Sequence, residues 1–282
     1  MIADQKDFIT PHITDSHTLD YPCLHSGFVC EYELPHWNPI HIGRFALDIS
    51  PTRHVVMLWI AALLCIITTL LALRAHNRRT REGRAPGGFG NGLEALVLYL
   101  RNEVVLPNVG PHGNGYVPFL LTLFFFILFA NLLGLVPYGS TATGNISVTA
   151  TLAIVTFIVV ELAGMKAQGK AYINTIIFWP HDMSLGMKLF ISPILTPIEL
   201  IGKFTKPFAL AIRLFANMTA GHIVLLALIS LIFTFGSWFL VPVPILMGVA
   251  ISVLELFVAF LQAYIFTLLS SVFIGLIREG AH

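Results

Sequence analysis

Long apolar runs constrain this chain more than any other feature. Residues 55–73 carry no charged side chain, 116–137 carry none, and 146–165 carry only Glu161. Each is long enough to cross about 30 Å of hydrocarbon as a helix, the one single-segment structure that satisfies its own backbone hydrogen bonds there. Two further runs, 189–235 and 244–277, exceed one perpendicular crossing. The expected fold is an all-α polytopic membrane protein with about five crossings, its last two helices long, tilted and paired as an antiparallel hairpin. The 282 residues are 56% hydrophobic and 11% charged, with mean hydropathy +0.81, which excludes an ordinary soluble domain. A net charge of +1 gives no reason to expect nucleic acid as a partner.

Residues 1–53 form a polar arm rich in Asp and His, without the basic-then-apolar pattern of a cleavable signal. Cys23 and Cys30 of the arm would pair in an oxidising compartment, Cys65 reads as a packing residue, and Cys23, His25, Cys30 and His36 match no standard metal spacing. The membrane domain is expected over 54–282. Lys and Arg set its orientation. Arg74, Arg78, Arg79, Arg81 and Arg84 follow the first span, and Lys166, Lys170 and Lys188 follow the third, whereas the connections 138–145 and 236–243 carry none. The positive-inside rule then puts the N-terminus outside and the C-terminus in the cytoplasm. Residues 93–106, with Glu94, Arg101 and Glu103 interrupting the apolar pattern, read as a helix on the cytoplasmic surface.

Arg213 stands inside the fourth run. An arginine keeps its proton, and holding it at mid-bilayer depth costs about 3 kcal/mol even on the lenient scale. It lies about 24 residues, or roughly 36 Å of helix, from Leu189. The segment therefore either breaks at 203–207 ("KFTKP") or runs tilted, with possible kinks at Pro193, Pro197 or Pro207; a long tilted helix is favoured because the piece before a break is too short to span. On a helix, Gly202, Lys206, Ala209, Arg213, Ala216, Asn217 and Ala220 share one face beside Glu199. A small-residue face admits another helix, and its arginine expects a carboxylate. Glu161, Glu199 and Glu255 are the acids at membrane depth within this chain; pairing with one of them is the bland reading, an external carboxylate the functional one.

In the expected hairpin, His222 and Glu255 share a midpoint near residue 238.5, and Arg213 and Gln262 one near 237.5, so each pair sits level. His222 with Glu255 is a titratable pair about 13 Å along the helix from Arg213, the kind of pair that marks a proton or ion path. A packing hydrogen bond is the alternative. Glu199 and Lys206 lie to the other side of Arg213, though Glu199 and Lys203 are also spaced as an i,i+4 surface pair. Asn131 and Asn145 add polar groups to either path, Asn145 equally as a helix cap. Glu161, near the end of the third span, faces a candidate cytoplasmic cavity.

These residues carry a resemblance. "ALAIRLFANMTAGH" (209–222) and "LELFVAFLQAYIF" (254–266), with "FANLLGLVP" (129–137) and "GNISVTATLA" (144–153), resemble the subunit a family of F-type ATP synthases over roughly 45–280. The resemblance implies a non-catalytic, proton-conducting subunit of a bacterial inner-membrane complex, without a cofactor. Its implied partners are the ring of c subunits, the b-type peripheral stalk, the rest of the complex and lipid. It implies that Arg213 faces the ring and pairs with its carboxylate, and that Asn217, His222, Glu255 and Gln262 line the outer half-channel. It places Glu199 in the cytoplasmic half-channel, where Asn145 and Glu161 are assigned as well, and counts Asn131 and Lys206 as additional polar positions. Often the family's acid lies on the arginine helix and its histidine on the last; here His222 and Glu255 exchange places.

Two other functions are weaker. A self-contained channel or transporter lacks internal repeats or a full carboxylate relay, and an intramembrane metal hydrolase lacks an H-E-x-x-H or three convincing ligands. No phosphate-cradling loop is present in the sequence. Coupling to H⁺ or Na⁺, ring size and the role of residues 1–44 leave no trace in this chain.

Overall fold

The computed structural model describes residues 15–23, 28–37, 40–42, 45–47, 50–81, 88–111, 113–136, 141–172, 185–235 and 241–279. Beyond the arm the described residues form the helices α1 (Arg53–Arg81), α2 (Phe89–Tyr99), a π-helical stretch (Leu100–Val105), α3 (Leu106–Val109), α4 (Val117–Gly134), α5 (Ile146–Gln168), α6 (Leu185–Phe235) and α7 (Pro242–Glu279). Among the described residues five segments are long and apolar enough to cross a membrane: Arg53–Arg74, Gly113–Gly134, Ile146–Gln168, Phe190–Ile232 and Pro242–Glu279. The all-α polytopic expectation is met. α6 runs unbroken through "KFTKP" and through Pro193, Pro197 and Pro207, so the single long helix is found rather than a broken one. At 1.5 Å per residue it is about 77 Å long, more than twice the hydrocarbon thickness.

The chain divides into two compact units. The first comprises Met1–Leu70, Phe125–Val148 and Leu214–Gln262. Its arm holds two antiparallel ribbons, β1 (Thr18–Cys23) with β2 (Phe28–Glu33) and β3 (Ile40–Ile42) with β4 (Phe45–Leu47). Two-stranded ribbons are marginal alone, and this arm is fastened by backbone bonds from Leu34 N–H to the His17 carbonyl at 2.8 Å and from Arg53 N–H to the Ser16 carbonyl at 2.9 Å. In the first ribbon Cys30 stands opposite Tyr21 and Cys23 opposite Phe28; the side chains of both cysteines, and His25 altogether, lie outside the described residues. Cys65 is half-buried with a free thiol. The portions of α6 and α7 in this unit run antiparallel, as the contacts below establish.

The second unit comprises Leu71–Phe124, Thr149–Arg213 and Ala263–His282. Its core gathers Val105, Val109, Val117, Leu120, Val160, Ala163, Tyr172, Ile274 and Ile277. Helix is found where 93–106 was read as one, with a difference. A π-helical turn at Leu100–Val105 leaves Arg101 and Glu103 exposed and turns Leu100, Val104 and Val105 inward. The carbonyls that end this helical run are capped from α7: Arg278 donates Nη1 to the Val109 carbonyl at 2.6 Å and Nη2 to the Pro111 carbonyl at 2.7 Å, with its guanidinium over the Tyr116 ring.

Candidate functional site

In the first unit the hairpin brings His222 and Glu255 together. His222 Nδ1 lies 3.6 Å from Glu255 Oε1, within reach of charge attraction but longer than a hydrogen bond. The helices approach this closely because residue 221 is glycine; a Cβ there would overlap the Glu255 carboxylate. The Glu255 side chain is 7% exposed. Both of its oxygens and His222 Nδ1 make no hydrogen bond among the described residues. Buried polar atoms are nearly always bonded, so a pair with spare capacity on both members is a place where protons can be taken up and passed on.

The other imidazole nitrogen, Nε2, is 3.1 Å from the Thr141 hydroxyl. Thr141 was not singled out from the sequence; the connection 138–145 was read for its lack of charge and for Asn145 at its end. It begins the 3₁₀ turn Ala142–Gly144, and Gly134 makes room for it, since a Cβ at 134 would overlap the threonine side chain. The same turn sends the Thr143 hydroxyl to Asn131 Oδ1 at 2.7 Å and accepts the Thr219 hydroxyl on the Gly144 carbonyl at 3.4 Å. Asn131, fully buried, donates Nδ2 to the Ala259 carbonyl at 3.3 Å. It thus ties the turn to α7. Asn217 donates to Gln262 Oε1 at 3.2 Å, leaving the Gln262 amide nitrogen unbonded among the described residues. Spacing along the helices foresaw the meeting of His222 with Glu255, but it set Gln262 level with Arg213, whereas Gln262 accepts from Asn217; the threonines carried no periodic signal that could have found them.

Asn145, assigned with Glu161 and Glu199, belongs to the first unit. It starts α5 while Glu161 lies near that helix's far end. Its Oδ1 accepts the Ser147 N–H at 2.9 Å, the cap the sequence also allowed, and its Nδ2 donates to Asp15 Oδ2 at 3.4 Å.

In the second unit a cavity of about 140 Å³ is lined by Glu161, Glu199, Lys203 and Lys206 together with apolar side chains of α5, α6 and α7. Lys203 Nζ is 3.6 Å from Glu161 Oε2, 3.4 Å from the Tyr172 hydroxyl and 4.8 Å from that ring's centre. The local Glu199–Lys203 pairing suggested by spacing is thus superseded by a contact with another helix: Tyr172 and Glu161 together offer the ammonium an acceptor, a charge and a ring face. Lys206 lies over the Phe273 ring at 5.5 Å.

Arg213 is exposed, as are Lys206, Ala209, Ala216, Asn217 and Ala220 along the same face of α6. Among the described residues Arg213 has no ion-pair partner, while Lys203 takes Glu161 and His222 faces Glu255. The bland reading, an internal pair for Arg213, finds no support in these contacts. Among the described residues no three His, Cys, Asp or Glu side chains are grouped to hold a metal ion.

Comparison with known proteins agrees with the resemblance. The pattern of the ATP synthase A chain family matches residues 55–275. The chain is 46% identical over 265 residues to ATP synthase subunit a of Chloroherpeton thalassium, covering 94% of this chain and 74% of that one. It is 46% identical over 278 residues to ATP synthase subunit a 2 of Chlorobaculum tepidum, covering 97% and 74%. It is 47% identical over 290 residues to ATP synthase subunit a of Myxococcus xanthus, covering 95% and 92%. With five helices among the described residues long and apolar enough to cross a membrane, and a match spanning most of its length, this multi-pass membrane protein belongs to the ATP synthase A chain family.

Proposed function

We propose that this chain is the ion-conducting stator subunit of a bacterial F-type ATP synthase, seated against the ring of c subunits and the b-type stalk in the inner membrane, with its N-terminus outside and its C-terminus in the cytoplasm. Protons enter from outside past Asn217, His222, Glu255 and Gln262 and load a ring carboxylate. After the ring has turned through lipid they leave by the cavity of Glu161 and Glu199, with Lys206 at its wall. Arg213 separates the two paths. Its fixed charge opposes direct passage of a proton, and its attraction for the arriving carboxylate favours the ionised form and so releases the proton. One charge crossing 100 mV supplies about 2.3 kcal/mol, so several must pass for each ATP. ATP chemistry belongs to other subunits.

One observation carries this reading: Arg213 is exposed on a face of small residues and has no ion-pair partner among the described residues. A charge held there suits a carboxylate from outside the chain. The test is ATP synthesis and proton pumping in inverted vesicles carrying Arg213→Ala, with assembly of ring and stator checked in the same preparation. Lost coupling with intact assembly is expected; retained coupling reduces Arg213 to a packing residue and sinks the proposal.

A further inference from the structure

The N-terminal arm reaches the His222 cluster through one carboxylate. Asp15 lies well before residues 55–275, the stretch matched by the family. Its Oδ1 is 2.7 Å from His54 Nδ1, at the start of α1, and accepts the His54 backbone N–H at 3.5 Å. Its Oδ2 accepts Asn145 Nδ2 at 3.4 Å. Burial by itself pushes the Asp15 carboxyl up. The hydrogen bond and charge of His54, with bonds from Thr52 and the His54 backbone, outweigh that and hold it below its ordinary value. Other charged or titratable groups of the elements around it include Arg53 of α1, with its backbone bonded to Ser16, and the tilted ring pair His17 and His36 of the arm. All these contacts lie within the first unit.

Residues 141–145 connect this carboxylate to the titratable pair. At one end Asn145 is held by Asp15; at the other Thr141 meets His222 Nε2 at 3.1 Å, with Thr143 and Gly144 bonded in between to Asn131 and Thr219. A neutral imidazole has one donor and one acceptor nitrogen. With Nε2 engaged by a hydroxyl, Nδ1 is the nitrogen presented to Glu255. We propose that Asp15 is a positioning residue of the outer proton path: its carboxylate ties the first span to the 141–145 turn, and so holds Thr141 against His222 in the orientation that exchanges protons with Glu255. This rests on the function proposed above and adds the arm to it as a working part.

The experiment uses the complete synthase in inverted vesicles, with ATP synthesis and proton pumping expressed per assembled complex. Asp15→Ala and Asn145→Ala should each slow both rates on the order of fivefold, the scale of one lost supporting hydrogen bond. Asp15→Glu should restore most of the rate, and the double alanine variant should be no slower than either single, because both changes cut the same tie. Wild-type rates per complex in Asp15→Ala, a loss confined to the amount assembled, or losses that multiply in the double variant would overturn the proposal. If Asp15→Ala does not assemble, isosteric Asp15→Asn removes the charge facing His54 and must slow the rate in the same direction, or the proposal fails. Arg213→Ala run alongside separates the two readings. Coupling that survives it defeats the function itself, whereas coupling lost there with Asp15 variants at full rate defeats only the role of the arm.

Discussion

The His222–Glu255 cluster and the Glu161–Lys203 cavity treat a carboxylate in opposite ways. In the first, Glu255 is nearly enclosed beside a partner whose own charge is optional, and neither its two oxygens nor His222 Nδ1 makes a hydrogen bond among the described residues. In the second, Glu161 lies 3.6 Å from the Lys203 amino group, which is also held by a phenol and its ring. An acid beside a histidine can change charge without stranding its partner, whereas an acid beside a lysine leaves an ammonium uncompensated when it takes a proton. The first arrangement suits a station that gains and loses protons; the second suits a fixed polar wall around a cavity that already contains Glu199. Arg213 belongs to neither arrangement, since its face is open.

The contrast can be broken most sharply at Arg213: Arg213→Ala should abolish coupled synthesis, a loss of about 100-fold or more if its charge is the barrier between the paths. Next come His222→Ala and Glu255→Ala, each expected to cut proton flux by roughly 10- to 100-fold, the range for a lost proton-transfer group. The exchange of the two residues should keep more flux than either single change, and equal losses in all three variants would show that they do not act as a pair. Gly221→Ala sharpens the geometry, because the added methyl must push Glu255 aside at a cost of about 1–3 kcal/mol; it should lower flux with the complex still assembled, and unchanged flux would mean that the close approach has no role. Lys203→Met should have a smaller effect, about two- to fivefold on proton release, comparable to a partly solvated ion pair; a loss as large as that of Glu255→Ala would erase the distinction between wall and station.

The smallest effect concerns the arm. The folded-state value of Asp15 is lowered from 3.8, so its stabilising contribution is fully present above that value and fades as pH falls through the lower folded one. Protection of the amides of residues 15–23 and 50–54, relative to their intrinsic exchange, should therefore hold at neutral pH and fall only in acid below about 4; protection that does not change there would remove Asp15 from the hold on the arm.

Much of this was legible beforehand. The spans, the unbroken α6 and the meeting of His222 with Glu255 follow from length, apolarity and helical rise, which act along one chain direction. Thr141, Asp15 and the true partner of Lys203 were hidden. Lys203 has Glu199 at ideal local spacing, yet it bonds across to α5 and to Tyr172, because the rotation of a neighbouring helix decides which acid is aimed at it. Asn145 shows the same limit. Its residue type allowed a cap, which is found, but its bond to Asp15 could not be read, since only folding of the arm brings that carboxylate to it.

By itself the sequence determined that this chain crosses a membrane several times and carries one arginine that must be used there, because each apolar run of about 20 residues and each charge in hydrocarbon has an energetic consequence independent of its neighbours. Tertiary structure alone decided which polar groups meet. Hydrogen bonds and ion pairs act over about 3–4 Å, and distances that short between helices are set by packing and by glycines such as Gly221, which no spacing along a single helix records.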